Sequence, residues 1–313
     1  LFVDNSYQQS NRLTHYKMQN TFQTNLQKAL SVCDTLGRNL ISLDQISQSC
    51  VEETEQFVIR TCGSRPSSHN HLHMQKVRDN AVWILSALVS SCFFGLTLMF
   101  LIAQRYSSYP YIILPLYVCT VYVCKQWVVT LNLLVQIVAL LHDVADHKYV
   151  EEDITLLPNL DRFIEGITSN EEYERVFMYS PFGHLFRHIQ IKNIIDRISF
   201  SRQKKYGTYD WVVTLGYAGV LVRNIVSDAD KFEAIGQAGI DRCVEYTQEV
   251  YDRTGVTKTR TQLLDDVEKH YHEKLKLLAS MKYMKTGPGL LYAQRLDSEM
   301  LNYLRTLRSQ IVN

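Results

Sequence analysis

Residues 81–103 read AVWILSALVSSCFFGLTLMFLIA, and residues 111–141 read YIILPLYVCTVYVCKQWVVTLNLLVQIVALL. The first stretch holds no charged side chain. As a helix it is long enough to cross roughly 30 Å of hydrocarbon. The second is longer than one crossing requires, which predicts a tilted helix whose C-terminal end stands clear of the bilayer. Gln104–Tyr109 reads as a short polar and aromatic turn between them, with Tyr106, Tyr109 and Tyr111 suited to an interface. Together the two stretches predict a hairpin of transmembrane helices. Lys76 and Arg78 precede the first span, with Arg60 and Arg65 further back, whereas the turn carries only Arg105. The positive-inside bias then places both chain ends in the cytoplasm or matrix.

Outward from the hairpin, the pattern is helical throughout. Residues 8–36 place Leu13, Tyr16, Leu26, Leu30 and Cys33 near one face. A second helix, capped by Ser47 or Ser49, runs to Cys62 and stops at Gly63 and Pro66. Residues 184–200 read as one amphipathic segment. Residues 211–226, interrupted by Arg223, are short for a crossing and read as a buried or interfacial helix. Ser227 or Asp228 is the expected cap of a helix through Arg253, which stops at Gly255. Thr259–Lys285 repeats apolar residues at heptad-like steps, Gly287-Pro288-Gly289 signals a turn, and Leu296, Met300, Leu304, Leu307 and Ile311 line a last helix. These two helices predict an αα-hairpin. The expected fold is therefore an all-α integral membrane protein with a two-helix transmembrane hairpin and a helical extramembrane domain. It divides into an N-terminal helical region (1–75), the hairpin (76–148) and a C-terminal helical domain (149–313).

Charge excludes one class of partner. The 33 Lys and Arg nearly balance 32 Asp and Glu, so no basic field for nucleic acid exists. Hydrophobic residues make up 46% of the chain, an ordinary value for a soluble protein, so the membrane part is local. The seven cysteines match neither zinc-knuckle nor redox spacing and read as buried thiols, with a bridge among Cys33, Cys50 and Cys62 as the alternative. The start at Leu1 fits cleavage of an organelle-targeting presequence or a truncated chain. The lack of an Asn-x-Ser/Thr acceptor disfavours a large secreted domain.

Three features point to contacts. Ala87, Ser91 and Gly95 recur every four residues in the first span, the small-residue pattern that lets two helix backbones approach closely in lipid. Lys125, Asn132, Gln136 and Asp143 lie along one stripe of the second helix. A lysine in mid-span costs about 2.5–3.5 kcal/mol on insertion scales, and the first span offers no carboxylate to pair with it. Arg187, Lys192, Arg197, Arg202, Lys204 and Lys205, set among apolar residues, predict a surface for anionic lipid.

Metal ligands are harder to assign. His142 and Asp146, and likewise Asp143 and His147, are four apart, a helical spacing that suits zinc or iron. His69, His71 and His73 form a second group, and His184 with His188 a third. None shows four converging ligands, so the sequence assigns no metal, no cofactor and no catalytic residue. Phosphate-loop, Rossmann, HExxH and GxSxG patterns are also missing. The expectation is a non-catalytic accessory subunit of a multi-subunit membrane complex. A respiratory-chain or ATP-synthase component of the mitochondrial inner membrane, with both termini in the matrix, fits best. Its partners would be other membrane subunits and anionic lipid, cardiolipin included. A homo-oligomeric channel or transporter lined by the second span is the alternative, and an enzyme with an unfamiliar site stands third.

Overall fold

The computed structural model describes residues 40–66, 69–106, 110–178, 180–208, 210–255 and 257–312. The periodic segment at 8–36, the Cys33 thiol and the turn residues 107–109 lie outside these. Among the described residues the chain is helical, with no strand. Helix α1 covers residues 40–62. The long pair α2 (His71–Tyr106) and α3 (Pro110–Leu141) follows, and then the short helices α4 (His147–Val150), α5 (Leu156–Thr168), α6 (Glu171–Phe177), α7 (His188–Ile195) and α8 (Phe200–Tyr206). Next come α9 (Trp211–Ala234), α10 (Gln237–Thr254) and α11 (Arg260–His270). A π-turn joins α11 to α12 (Lys276–Leu278), and α13 (Gly287–Val312) ends the fold.

The hairpin has two different halves. At its base Val77, Ala81, Ile84 and Leu85 of α2, and Leu133 to Leu141 of α3, are buried in one hydrophobic core with residues from α1, α5, α7, α9 and α13. Further out the apolar side chains are bare: Phe94 is 73% exposed, and Met99, Leu101, Ile102, Val123 and Trp127 are also open. The crossover falls near Ser86 on α2 and Thr130 on α3. The helix beyond each point spans about 31 Å at 1.5 Å per residue, close to the thickness of a hydrocarbon core. The excess length of the second apolar stretch is thus core, with only Asn132 and Gln136 left half-buried among Leu131 to Leu141. Since both legs enter one body, their bases lie on the same side of any bilayer the hairpin crosses.

Side chains of α1 and α2 meet the later helices directly. The Phe57 ring of α1 stacks on Phe163 of α5 at 4.1 Å, Tyr173 of α6 donates to Glu53 at 2.7 Å, and Arg78 of α2 pairs with Glu55. Trp83, Phe232 and Tyr292 form an aromatic junction of α2, α9 and α13, with centroids 4.8–6.3 Å apart.

Among the described residues, three helices and not two are long and apolar enough to cross a membrane, because α9 also qualifies. Its charges, however, are held by the globular domain. The buried Arg223 donates to the Arg197 carbonyl at 2.7 Å and to Gln203 at 3.1 Å, and lies 3.7 Å from the Trp211 ring centroid. Helix α9 also runs through Ser227 and Asp228, where a cap was expected; the break comes at Gly236, whose φ of 80° ends the helix. Ser47 likewise sits inside α1, bonded to the Leu43 carbonyl at 2.8 Å, and does not cap it.

Asp228 has a different task. Its carboxylate accepts the backbone N–H groups of Lys285 at 3.0 Å and Thr286 at 2.7 Å, and the Thr286 hydroxyl at 2.8 Å. Gly287-Pro288-Gly289 is accordingly the first turn of α13, where proline loses no hydrogen bond. A Cβ on Gly289 would stand 2.5 Å from Thr286 Oγ1 and 2.6 Å from Asp228 Oδ2. Both atoms are fixed by these bonds, so Gly289→Ala is expected to destabilise the fold by about 2 kcal/mol through overpacking, read as a lowered denaturant midpoint in detergent.

Two expected surfaces change character. The basic segment at 184–205 is not one helix: the Arg197 and Ile198 carbonyls bond to the Arg223 and Ser227 side chains, which separates α7 from α8. Within it Lys192 pairs with Asp161 at 2.6 Å, Arg197 with Asp210 at 2.9 Å and Arg202 with Asp196 at 3.8 Å, while Arg187, Lys204 and Lys205 are exposed. On α2, a Cβ at Gly95 would meet nothing within 4 Å. Among the described residues, then, Gly95 and the exposed Ser91 are not packed against α3, while Ala87 is half-buried.

Candidate metal centre

Three helices carry their ends to one point. Asn70 caps α2, its Oδ1 accepting the N–H groups of Leu72 at 3.0 Å and His73 at 3.2 Å. This places His73 in the first turn with its ring facing inward. At the other leg α3 ends at Leu141, and the next two residues are His142 and Asp143. Arg65 closes that end: its guanidinium donates to the carbonyls of Asp143 at 3.0 Å and Val144 at 2.7 Å and lies 4.1 Å from the Tyr149 ring centroid. The third contribution is Asp230, from the last two turns of α9.

The donor atoms of His73, His142 and Asp143 lie within 4.8 Å of one another. Asp230 Oδ1 is 3.5 Å from His73 Nε2 and 3.7 Å from His142 Nε2. Ligands about 2.1 Å from a tetrahedral zinc stand roughly 3.4 Å apart, so the spacing to Asp230 already has the size of a coordination shell. His69 adds an outer contact, its Nδ1 being 2.5 Å from Asp143 Oδ2.

One atom tests the fit. His142 Nδ1 donates to the Ala139 carbonyl at 2.7 Å, which fixes the ring and leaves Nε2 as the inward nitrogen. That Nε2 is buried without a hydrogen-bond partner, in a side chain only 4% exposed. An imidazole oriented by a carbonyl behind it, with its other nitrogen unpartnered and facing two carboxylates, matches the second-shell pattern of metal ligands. The electrostatics agree. Burial works against a charged His142, but Asp230 and Asp143 outweigh it and raise the pKa to about 9. Burial likewise pushes Asp143 up, yet its bond to His69 and the charge of His142 bring it below its usual value. The negative field that holds a proton on His142 would favour a divalent cation there. Two imidazoles with two carboxylates suit zinc, iron, manganese and related ions. Asp230, 29% exposed, marks the open side. Beside His73 a groove of about 670 Å³ carries Asn70, Lys76, Phe232 and Arg242 among its walls.

The sequence groups are thus redistributed. His142 and Asp143 belong to the cluster, joined by His73 and His69 from the loop group. His71 Nδ1 is buried elsewhere without a hydrogen-bond partner. His188 faces Asp161 at 3.6 Å, apart from the cluster. The side chain of His147 lies outside what is described. Asp230 was not foreseen: it belongs to a helix whose apolar stretch masks it, and only the run of charges Asp228, Asp230 and Lys231 hinted at a polar surround. The supposed stripe on α3 divides too. Lys125 is exposed on the projecting part, Asn132 and Gln136 are half-buried at the base, and Asp143 serves the cluster.

No family model matches the chain. It is 24% identical over 198 residues to the uncharacterized protein L803 of Acanthamoeba polyphaga mimivirus, covering 55% of this chain and 76% of that one. Among solved structures it is similar to Bacillus subtilis YpgQ, at 17% identity and a TM-score of 0.44, over 85% of this chain and 97% of that one. The selenomethionine form of YpgQ gives 20% identity and a TM-score of 0.45.

Proposed function

We propose that this protein is a membrane-anchored, metal-dependent hydrolase acting on a phosphoester. The observation that carries the reading is the convergence of His73, His142 and Asp143 within 4.8 Å, with Asp230 on the open side. A divalent cation held by such a set would supply Lewis-acid activation of water near neutral pH. His73 and His142 would supply neutral donors, Asp143 and Asp230 anionic ones, and His69 would orient Asp143. The adjoining groove offers Lys76 and Arg242 to a phosphoester, set beside Asp79, Glu233 and Asp241, with Lys76 3.8 Å from Glu233. The projecting half of the hairpin is the anchor, and the Lys76 and Arg78 flank supports a cytoplasmic or matrix position for the globular part. The test is hydrolysis of p-nitrophenyl phosphate and nucleoside triphosphates by the purified protein, stripped by chelation and reloaded with manganese, zinc or iron. No metal-restored turnover on any of them would refute the reading.

A second reading keeps one supporting observation. Lys125 stands exposed on the projecting half, where it would need a partner within a bilayer. That favours association with other membrane subunits, as in a mitochondrial inner-membrane complex, or a pore built from several copies. In the subunit case Lys125→Leu is expected to release a native complex with no conductance before or after. In a pore, Lys125→Glu would reverse ion preference in planar bilayers.

A further inference from the structure

We propose that Val212, Val213 and Tyr217, at the head of α9, dip into the headgroup region of the bilayer that the hairpin crosses, giving the globular domain a second membrane contact. This rests on the hairpin's membrane reading. Val213 is 91% exposed and Tyr217 is 84% exposed, although Trp211 beside them is buried. Gly216, with φ 66° and ψ 169°, kinks α9 between the two and turns its first residues out of line with the rest of the helix.

Position connects this patch to the hairpin. Thr130 marks where α3 passes from bare to buried, and its hydroxyl bonds to Ser180 at 2.8 Å. A few residues on, Leu185 reaches to 3.5 Å from where a Cβ of Gly219 would be. Tyr217 and Val213 lie up to two turns before Gly219, on the side away from Asp230. A second measure agrees. The metal cluster joins α3 at His142 and α9 at Asp230. Following α9 back to the kink at Gly216 covers about 21 Å, and following α3 back to Trp127 covers about 22 Å. The two lengths are alike, so the kink of α9 and the bare part of α3 begin at similar distances along their helices from the cluster.

The chemistry suits an interface. A tyrosine and two valines offer an apolar surface with one polar tip, the composition favoured at the headgroup boundary. The exposed Lys204 of α8 precedes them and can meet lipid phosphate.

The test uses the full chain in nanodiscs of mixed phosphatidylcholine and phosphatidylglycerol, with the photo-crosslinking residue p-benzoylphenylalanine replacing Phe94, Val213 or Ile154 in turn. Ile154 is 79% exposed but close in sequence to Tyr149, at the metal-cluster end. Lipid adducts are expected at 94 and 213, each at least about tenfold above position 154. Adducts at 94 with none at 213, or a protein adduct at 213, would overturn the second contact and leave the anchor standing. None at 94 would remove the membrane reading and this contact with it.

Discussion

Asp143→Asn is expected to lower metal-dependent hydrolysis at least about a thousandfold. Charge stabilisation by a bound cation is worth several kcal/mol, and each 1.36 kcal/mol is tenfold in rate. Asparagine keeps the shape of Asp143 but removes the negative charge that faces both His69 and the cluster. The same variant should carry far less metal after dialysis, measured by elemental analysis. In the parent, metal at about 100 times its dissociation constant should stabilise the fold by about 2.7 kcal/mol, and the variant should lose that gain. Glu151→Gln, exposed and outside the cluster, should behave as the parent. Equal turnover in the Asp143 variant would exclude this cluster as the reaction centre.

The second large effect concerns solubility. Replacing residues 86–129 by a short Gly-Ser linker should give a protein that stays in solution without detergent and still loads metal. Adjacent packed helices stand about 8–10 Å apart, a gap that a few residues can close. Removing 76–148 instead should abolish folding. That cut deletes Val77, Ala81, Ile84, Leu85 and the buried run Leu133–Leu141, together with His142 and Asp143. Large-to-small changes at single core positions already cost about 2–5 kcal/mol, and the cut deletes many such side chains at once. Circular dichroism and size-exclusion chromatography of the two deletions decide the matter. A soluble, helical product of the longer deletion would show that the hairpin base is dispensable.

These deletions also show where sequence reasoning was sufficient. Apolar runs reveal helices and a hairpin, because uninterrupted hydrophobicity of that length has few other uses. They do not distinguish side chains facing lipid from side chains facing protein: Val77–Leu85 and Leu133–Leu141 read like the bare segments beyond them. For the same reason α9 resembles a span although Arg223 and Asp228 are held by the globular domain. The candidate metal cluster is half legible. His142 and Asp143 stand out, but their partners come from 69 residues earlier and 88 residues later, as His73 and Asp230 show. Spacing rules work within one helix and are blind to a site assembled from three. The candidate cluster accordingly joins His142 and Asp143 to His73 and Asp230 and not to partners four residues away.

The division of the hairpin into a bare half and a core half has a consequence for manufacture. The ribosome delivers α2 and α3 first, and their apolar outer halves can leave water as soon as they emerge. Their inner halves cannot, because the residues that cover them, Val222 to Phe232 on α9 and Ala293 on α13, are still untranslated. A nascent chain thus carries Leu133–Leu141 uncovered until α9 is made, the condition in which partly made proteins aggregate. Asp230 arrives in the same late segment, so the centre cannot assemble before its own core closes. Any chain released before α9 would be unfinished at both places, with His73, His142 and Asp143 made and Asp230 still missing.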